Sequence, residues 1–186
     1  MTIPLPRKAL FLDRDGIINV DKGYVHDPSA FEWMPGIFDL TRTARDLGAL
    51  LIVVTNQSGI ARGYYSEETY QTITRWMSAR FEAEGVPLTQ VYHCPYLKGL
   101  DGRDHPLRKP NPGMFLAARD AHDIDMAASA MLGDKWTDMQ AARAARVTHR
   151  ALVGIPQDGE PSGDDAEDVT RLEDLAAAEN WLRQIL

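Results

Sequence analysis

The chain has 186 residues, a length that suits one domain with a full hydrophobic core, or one domain with a small insertion. Its 44% apolar and 25% charged residues are typical of a soluble globular protein. The net charge of -7 argues against nucleic acid or an anionic membrane as the main partner, and the single cysteine, Cys94, excludes an internal disulfide.

The longest apolar run, 49–54, is far too short to span a bilayer, and no charged-then-apolar leader opens the chain. A single cysteine also fits a reducing compartment. We therefore expect a cytoplasmic protein that neither binds nucleic acid nor enters a membrane. No apolar stripe stands out as an interface, so we expect a monomer.

Short apolar runs alternate along the chain with segments of helical spacing. In chain order, the patterns predict a strand at 9–12, a loop or hairpin at 17–33, a helix at 36–47, a strand at 49–54, a helix at 66–84, a strand at 91–93, a loop at 94–108, a helix from 112, a strand at 130–133, a helix at 137–145, a strand at 148–153, an acidic loop at 154–168 and a helix at 172–186. This alternation predicts a single α/β domain over 1–186 with a doubly wound parallel sheet.

Two carboxylates, Asp13 and Asp15, follow the first apolar run. Residues 9–12 lack polar alternation and so suit a parallel strand that is covered on both faces and ends at a ligand crevice. In an extended backbone, residues two apart point the same way, into that crevice. Two negative charges at such a short distance repel each other unless a cation lies between them. The pair therefore predicts a metal site.

The same pattern, Asp-x-Asp-Gly, also occurs in plain turns and at the start of calcium-binding loops. A calcium loop of the EF-hand type has Gly at its sixth position and Glu at its twelfth, whereas this chain has Gly16 at the fourth and Tyr24 at the twelfth. A plain turn therefore remains an alternative interpretation of this pattern unless other polar residues converge on the same crevice.

Two other predicted strands end at polar residues, Thr55 and Asp134. Because the carboxyl ends of parallel strands lie along one edge, these residues are expected to meet Asp13 and Asp15 there, which argues against a plain turn. Aspartate oxygens suit Mg²⁺. A metal, a Thr hydroxyl and a nearby lysine together suit a phosphoryl group, and Lys109 is the candidate lysine, although a loop lysine is usually only solvated.

Four segments together resemble the motifs of the haloacid dehalogenase superfamily of aspartate-nucleophile phosphatases. They are FLDRDGIINVDKGYV at 11–25, TNQSGIARG at 55–63, RKPNPGM at 108–114 and GDKWTDM at 133–139. Within the superfamily they are similar to the D-glycero-D-manno-heptose 1,7-bisphosphate 7-phosphatases, relatives of the histidinol-phosphate phosphatases. The resemblance spans roughly 9–153 and implies a Rossmann-like core, and the intervals between the motifs leave no room for a large cap domain.

The resemblance implies a role for each motif residue. Asp13 is expected to attack phosphorus and form an aspartyl-phosphate, and Asp15 to protonate the leaving alkoxide and then deprotonate the hydrolytic water. Thr55 and Lys109 are expected to hold the transferring oxygens. The Mg²⁺ ligands implied are the side chains of Asp13 and Asp134 and the backbone carbonyl of Asp15.

The resemblance also implies contacts to the sugar phosphate. Arg108 is expected to bind the second, non-reacting phosphate. Asp138 either orients the lysine or a metal-bound water, or is a plain first-turn acid of a helix, and Arg62 is a surface residue or a further contact. The residues expected to contact the substrate are Asp21, Lys22, Gly23, Tyr24, Asn56, Gln57, Ser58, Arg108 and Lys135.

One segment departs from the family pattern. Relatives often carry a structural zinc loop before the Arg-Lys pair, with the pattern Cys-x-His and then Cys-x-Cys. This chain retains only Cys94 and His105 there, too few for a closed four-ligand site, so no structural zinc is expected. Cys94 is then expected to be a small buried residue.

These features predict a Mg²⁺-dependent phosphatase that removes the C7 phosphate of a heptose 1,7-bisphosphate on the route to the nucleotide-activated heptose of the lipopolysaccharide core. The enzymatic alternatives are a histidinol-phosphate phosphatase or another small sugar-phosphate phosphatase, although segments 21–24 and 58–63 fit the heptose group better. A different alternative is a receiver-like module that is phosphorylated on Asp13, against which Asp15 argues because it is placed to hydrolyse the acyl phosphate.

Overall fold

The structure is a computed structural model, and it describes residues 7–97, 99, 105–156, 158–159 and 168–186. These residues form a sheet of six parallel strands in the order β3-β2-β1-β4-β5-β6. The doubly wound parallel sheet predicted from the sequence is confirmed. The strands are β1 (Ala9–Leu12), β2 (Leu50–Asn56), β3 (Gln90–Cys94), β4 (Ala130–Gly133), β5 (His149–Val153) and β6 (Val169–Leu172).

Helices cover both faces of this sheet. Residues of α1, α2 and α5 pack into one core, and residues of α3 and α4 pack into the other. Strand β1 serves both cores, since Leu10 and Leu12 belong to the first and Phe11 to the second. A strand covered on both faces needs apolar residues throughout, which explains the uninterrupted apolar run. The helices are α1 (Ile37–Asp46), α2 (Glu67–Ala83), α3 (Gly113–His122), α4 (Trp136–Ala144) and α5 (Leu175–Ile185).

Strand β1 lies between β2 and β4, and this position fixes where its polar continuation lies. Leu12 pairs with Val53 of β2 and Leu132 of β4. The ladder extends one residue further, because the Asp13 N–H donates to the Leu132 carbonyl at 3.1 Å. Since all three strands run parallel, the residues that end them share one edge of the sheet.

The sequence prediction was wrong about the C-terminal end of the sheet, where it missed β6 and began the last helix at Leu172. Helix α5 begins at Leu175, after Asp174, whose carboxylate accepts a hydrogen bond from the Ala177 N–H at 2.8 Å. Strand β6 pairs only with β5 at the sheet edge, and its side chains are partly exposed. An edge strand does not need a continuous apolar run, so the sequence Val-Thr-Arg-Leu gives no strand signal.

Loops of the core border the carboxyl edge of the sheet. Between β1 and β2 the chain forms a loop with one 3-10 turn (Pro28–Ala30) and then α1, and between β2 and β3 it forms α2. The predicted loops 94–108 and 154–168 lie partly outside the described residues. Among the helices that are described, none has the length and apolar character needed to cross a bilayer.

Candidate active site

Asp13 and Asp15 both line a cleft of about 470 Å³ at the carboxyl edge of the sheet. Asp13 is 6% exposed, and its Oδ1 accepts a hydrogen bond from the Arg14 N–H at 2.7 Å. The side chain of Asp15 is 17% exposed and makes an ion pair with Arg14 at 2.9 Å. The charge of Asp15 is therefore balanced at least in part by a guanidinium of the protein, and the metal site predicted at the two acids stays a prediction.

Lys109 lies buried between two carboxylates. Its Nζ is 3.1 Å from Asp13 Oδ1 and 2.5 Å from Asp138 Oδ1, and it donates to the Val54 carbonyl at 2.8 Å. Lys109 and Asp138 are 2% and 1% exposed, so this is a fully buried ion pair. The structure thus places Lys109 in contact with Asp13, the predicted nucleophile. It also places Lys109 in direct contact with Asp138.

Asp13, Asp134 and Asp138 form a cluster that fits a divalent cation. One carboxylate oxygen from each lies within 4.8 Å of the others. Asp134 Oδ1 is buried and has no hydrogen-bond partner among the described residues. Such an orphaned oxygen beside two other carboxylates is the donor set that Mg²⁺ prefers. The residues present therefore fit Mg²⁺, and a contribution from the Asp15 backbone carbonyl stays a prediction.

Glycines allow these acids to approach the backbone. Gly16 has a φ of 90°, and a Cβ on it would overlap the carboxylate of Asp134. A Cβ on Gly133 would overlap the carboxylate of Asp138 in the same way. The two glycines are thus needed because an acid occupies the place of a side chain.

The electrostatics of the cluster follow from burial. Burial, with the neighbouring charges of Asp13 and Asp138, raises the pKa of Asp134 to about 7. Burial also raises the pKa of Asp138 to about 6, although Lys109 opposes that rise. Burial alone would lower the pKa of Lys109, but Asp13 and Asp138 outweigh it and raise that pKa above its usual value. The lysine is therefore charged, and the excess negative charge is concentrated on the metal-binding acids.

Gln57 connects the end of β2 to the acid pair. Its Nε2 donates to Thr55 Oγ1 at 2.9 Å and to Asp15 Oδ2 at 3.0 Å. Its Oε1 accepts a hydrogen bond from the Tyr65 hydroxyl at 2.7 Å. The predicted substrate contact Gln57 therefore also orders Thr55 and Asp15.

Asn56 fixes the segment that carries Lys109. Its amide donates to the Lys109 carbonyl at 3.0 Å and accepts from the Lys109 N–H at 3.1 Å. This reciprocal pair mimics a strand ladder and holds the lysine backbone against the end of β2.

Most of the predicted substrate contacts surround the cleft. Lys135 makes ion pairs with Asp21 at 3.0 Å and with Asp134 at 3.4 Å, so it bridges the cleft wall and the acid cluster. Lys22 instead pairs with Glu32 at 2.8 Å and does not line the cleft. The predicted contacts that line it are Asp21, Gly23, Tyr24, Asn56, Gln57, Ser58, Arg108 and Lys135.

Ring packing and one hydrogen bond connect described residues on either side of the gap before Arg108. The rings of Tyr96 and His105 lie 4.1 Å apart, and the Arg108 guanidinium donates to the Tyr96 carbonyl at 3.1 Å. Cys94 is buried, and its carbonyl accepts a hydrogen bond from the Gln57 N–H at 2.7 Å. Residues 98 and 100–104 of this loop lie outside the described part of the chain, and the absence of zinc stays a prediction.

Sequence reasoning missed two groups near the cleft. Arg14 is 1% exposed, and a buried arginine in an apolar stretch signals an acidic partner. Asp158 lines the cleft and accepts hydrogen bonds from the N–H groups of Trp136 and Thr137, at 3.0 and 3.2 Å, at the first turn of α4. It lies in the predicted acidic loop, where the composition gives no reason to single out one acid.

Comparisons with known proteins agree with this geometry. A family model described as HAD-hydrolase-like matches residues 106–154. The crystal structure of a D,D-heptose 1,7-bisphosphate phosphatase from B. bronchiseptica, complexed with magnesium and phosphate, superposes with a TM-score of 0.81 and 30% identity, covering 95% of this chain and 98% of that chain. The fold and the site thus define a phosphatase of the haloacid dehalogenase-like class.

Curated relatives narrow the class. The chain is 49% identical over 153 residues to the D-glycero-beta-D-manno-heptose-1,7-bisphosphate 7-phosphatase of Vibrio cholerae, covering 80% of this chain and 82% of the relative. It is 47% identical over 153 residues to the corresponding alpha-anomer enzyme of Burkholderia mallei, covering 80% and 81%. The chain therefore belongs to the D-glycero-D-manno-heptose-1,7-bisphosphate 7-phosphatase family, and the predicted family is confirmed.

Proposed function

We propose that this phosphatase hydrolyses the C7 phosphate of D-glycero-D-manno-heptose 1,7-bisphosphate, on the route to nucleotide-activated heptose for the lipopolysaccharide core. The names of the relatives support this substrate. The observation that carries the chemistry is the cluster of Asp13, Lys109 and Asp138, which are buried and line the cleft, with the partly buried Asp134 beside them. The proposal includes a monomer that acts in the cytoplasm, in keeping with the composition.

In the first half of the proposed reaction, an Asp13 carboxylate oxygen attacks phosphorus. A bond forms between that oxygen and phosphorus while the bond from phosphorus to the C7 oxygen breaks, and Asp15 donates a proton to the departing oxygen. In the second half, Asp15 takes a proton from water, the water oxygen attacks phosphorus, and the Asp13 carboxylate is released with inorganic phosphate. Proton transfer of this kind contributes about 10² to 10⁴ in rate.

Asp13 and Asp134, with the Asp15 carbonyl, would hold Mg²⁺, and Asp138 orients Lys109. When bound, Mg²⁺ supplies positive charge that neutralises the phosphoryl oxygens and the attacking carboxylate. Lys109 and the Thr55 hydroxyl bind the remaining phosphoryl oxygens. These groups are fixed before the substrate arrives, which is the condition for effective electrostatic stabilisation.

Substrate recognition uses the cleft wall. Arg108 and Lys135 supply positive charge for the second phosphate, and a guanidinium suits bidentate contact with it. Tyr24 and Ser58 offer an aromatic face and a hydroxyl to the sugar. Arg108, Lys135, Tyr24 and Ser58 line a cleft of about 470 Å³, a volume typical of small-molecule sites.

Binding of Mg²⁺ is expected to release a proton. Because the pKa of Asp134 is raised to about 7, this acid is protonated in the metal-free protein below that pH, whereas Mg²⁺ binds the carboxylate. The apparent affinity for Mg²⁺ should fall by about tenfold for each pH unit below about 7 and be nearly constant above it. Titration calorimetry at about pH 8 and about pH 6, in buffers of different ionisation enthalpy, measures both the affinity and the released proton.

The matched control for this pH dependence is Asp134→Asn, which is expected to bind Mg²⁺ weakly at every pH. An affinity that stays constant from about pH 8 to about pH 6 would show that Asp134 is already ionised, or that it is not a ligand.

The Asp15→Asn variant tests the reaction sequence. Without a group to activate water, phosphate should remain on Asp13, so the variant incubated with substrate and Mg²⁺ should show the mass of a phosphoryl group on the peptide that contains Asp13. Normal turnover by this variant would assign the acid and base role to another residue. Failure to trap phosphate on any peptide would argue against a covalent intermediate.

A substrate panel tests the assignment of substrate. It comprises both anomers of the heptose 1,7-bisphosphate, the heptose 7-phosphate, histidinol phosphate and an unrelated hexose bisphosphate, each with and without Mg²⁺. The expected result is a preference of at least about tenfold in kcat/KM for a heptose bisphosphate, with loss of activity in chelator. Equal, slow turnover of every compound would reject the heptose substrate while leaving the phosphatase class intact.

A further inference from the structure

The carboxylate of Asp15 is held by three side chains. Arg14 donates to it through Nε at 3.1 Å and through Nη2 at 2.9 Å. Asn19 donates to Oδ1 at 3.0 Å, and Gln57 donates to Oδ2 at 3.0 Å. Both oxygens of the carboxylate are therefore bound by donors, which fixes their positions.

Burying Arg14 at this position costs free energy, so a contribution to stability alone does not explain it. Its side chain is 1% exposed, and its Nη1 is buried with no hydrogen-bond partner among the described residues. Buried ion pairs often stabilise a fold less than apolar residues of the same volume. A buried charge with an orphaned N–H is therefore better explained by what it does to Asp15.

Arg14 also connects Asp15 to the cleft wall. Its Nη2 donates to the Val25 carbonyl at 2.8 Å, directly after the segment in which Gly23 and Tyr24 line the cleft. One guanidinium thus holds the carboxylate of Asp15 and the loop that borders the substrate.

Of the three donors, Arg14 is the one that binds both oxygens of Asp15, whereas Asn19 donates to Oδ1 and Gln57 to Oδ2. All three are buried, and Gln57 also lines the cleft and donates to Thr55 Oγ1 at 2.9 Å. The Thr55 hydroxyl can accept this hydrogen bond and still donate its own hydrogen to a phosphoryl oxygen, so phosphoryl binding does not require the Gln57 contact to break. Because Arg14 donates to both Oδ1 and Oδ2, it holds the plane of the Asp15 carboxylate at the cleft, whichever oxygen transfers the proton.

We propose that Arg14 is a positioning residue for the reaction, which fixes the plane of the Asp15 carboxylate and aims it at the leaving group. This proposal rests on the proposed function, in which Asp15 is the acid and base. No part of it requires Arg14 to touch the substrate.

The leaving group provides the test. An alkyl phosphate, such as the heptose bisphosphate, needs a proton on the departing oxygen, whereas p-nitrophenolate leaves as a stable anion. For a reaction through a covalent intermediate, kcat/KM reports the steps up to cleavage of the leaving group. Arg14→Met should therefore lower kcat/KM for the alkyl phosphate by about 10²-fold or more, and kcat/KM for p-nitrophenyl phosphate by less than about tenfold. Damage to the fold alone would lower both values by the same factor.

Three further variants complete the experiment. Arg14→Lys keeps the charge but not the two-point contact, and should give the same selective loss at smaller size, so it carries the test if Arg14→Met does not fold. Arg42→Met, on the exposed face of α1, is the matched control and should change neither value. The double variant Arg14→Met with Asp15→Asn should be no slower than Asp15→Asn alone, because Arg14 acts through Asp15.

The outcomes separate the two proposals. In one outcome, Asp15→Asn lowers kcat/KM more for the alkyl phosphate than for p-nitrophenyl phosphate while neither Arg14 variant does so. That result would overturn the positioning role of Arg14 and leave the acid and base assignment of Asp15 in place. If Asp15→Asn itself shows no discrimination, the assignment of Asp15 falls, and the role of Arg14 falls with it. Full additivity in the double variant would also overturn the proposal, since it would mean that Arg14 acts independently of Asp15.

Discussion

Replacing Asp13 with Asn is expected to lower kcat for the heptose bisphosphate by a factor on the order of 10⁴ to 10⁶, the loss seen when a covalent nucleophile is removed. The physical reason is that the amide cannot form the bond to phosphorus, while the rest of the cleft is unchanged. Phosphate release in saturating Mg²⁺ measures the effect, and the absence of a phosphorylated peptide after quenching provides a second readout.

The control for the Asp13 variant is Asp39→Asn. Asp39 lies on α1, is 70% exposed and pairs only with Arg42 among the described residues, so its substitution should leave kcat within a factor of about two. A variant of Asp13 that retained a tenth of the activity would mean that water, and not Asp13, attacks phosphorus.

Replacing Lys109 with Met is expected to reduce the free energy of unfolding of the metal-free protein by about 3 to 5 kcal/mol. Lys109 neutralises Asp13 and Asp138 where all three are buried, and methionine of similar volume leaves those two carboxylates facing each other without a cation. Saturating Mg²⁺ should recover part of this loss, because it restores positive charge beside Asp13. Urea unfolding with and without Mg²⁺ measures both effects.

The control for the Lys109 variant is Lys22→Met, at an exposed ion pair with Glu32, which should change the free energy of unfolding by less than about 1 kcal/mol. Equal stability of the two variants would mean that Lys109 does not offset the charge of Asp13 and Asp138.

The elements that organise this site could be predicted because they obey rules local to the chain. Residues 9–12 read as a strand covered on both faces because apolar residues lie on both sides of β1 in the structure. Strand β6 was not predicted, because an edge strand with one pairing partner tolerates Thr and Arg and so lacks a continuous apolar run. Parallel topology explains why the ends of the strands that precede Asp13, Thr55 and Asp134 were expected at one edge of the sheet, whereas the order of the strands was not predicted.

The ion pairs between side chains of the site could not be predicted in the same way. The sequence predicted a metal site at Asp13 and Asp15, but it did not reveal that Asp15 pairs with Arg14 or that Asp138 lies beside Asp13. Which residue neutralises a carboxylate depends on side-chain direction, as for Arg14 beside Asp15, and on residues distant in the chain, as for Lys109 beside Asp13. Neither is encoded in local spacing.

The sequence by itself determined the family, the parallel sheet and the motif residues, because motif spacing and apolar periodicity are set by strand and helix geometry that repeats along the chain. Tertiary structure alone decided that Asp15 is bound by Arg14, Asn19 and Gln57, that Lys22 pairs with Glu32, and that Asp158 accepts hydrogen bonds at the first turn of α4. These contacts join residues through burial and charge balance, and electrostatic free energy depends on distance in space and not on distance along the chain.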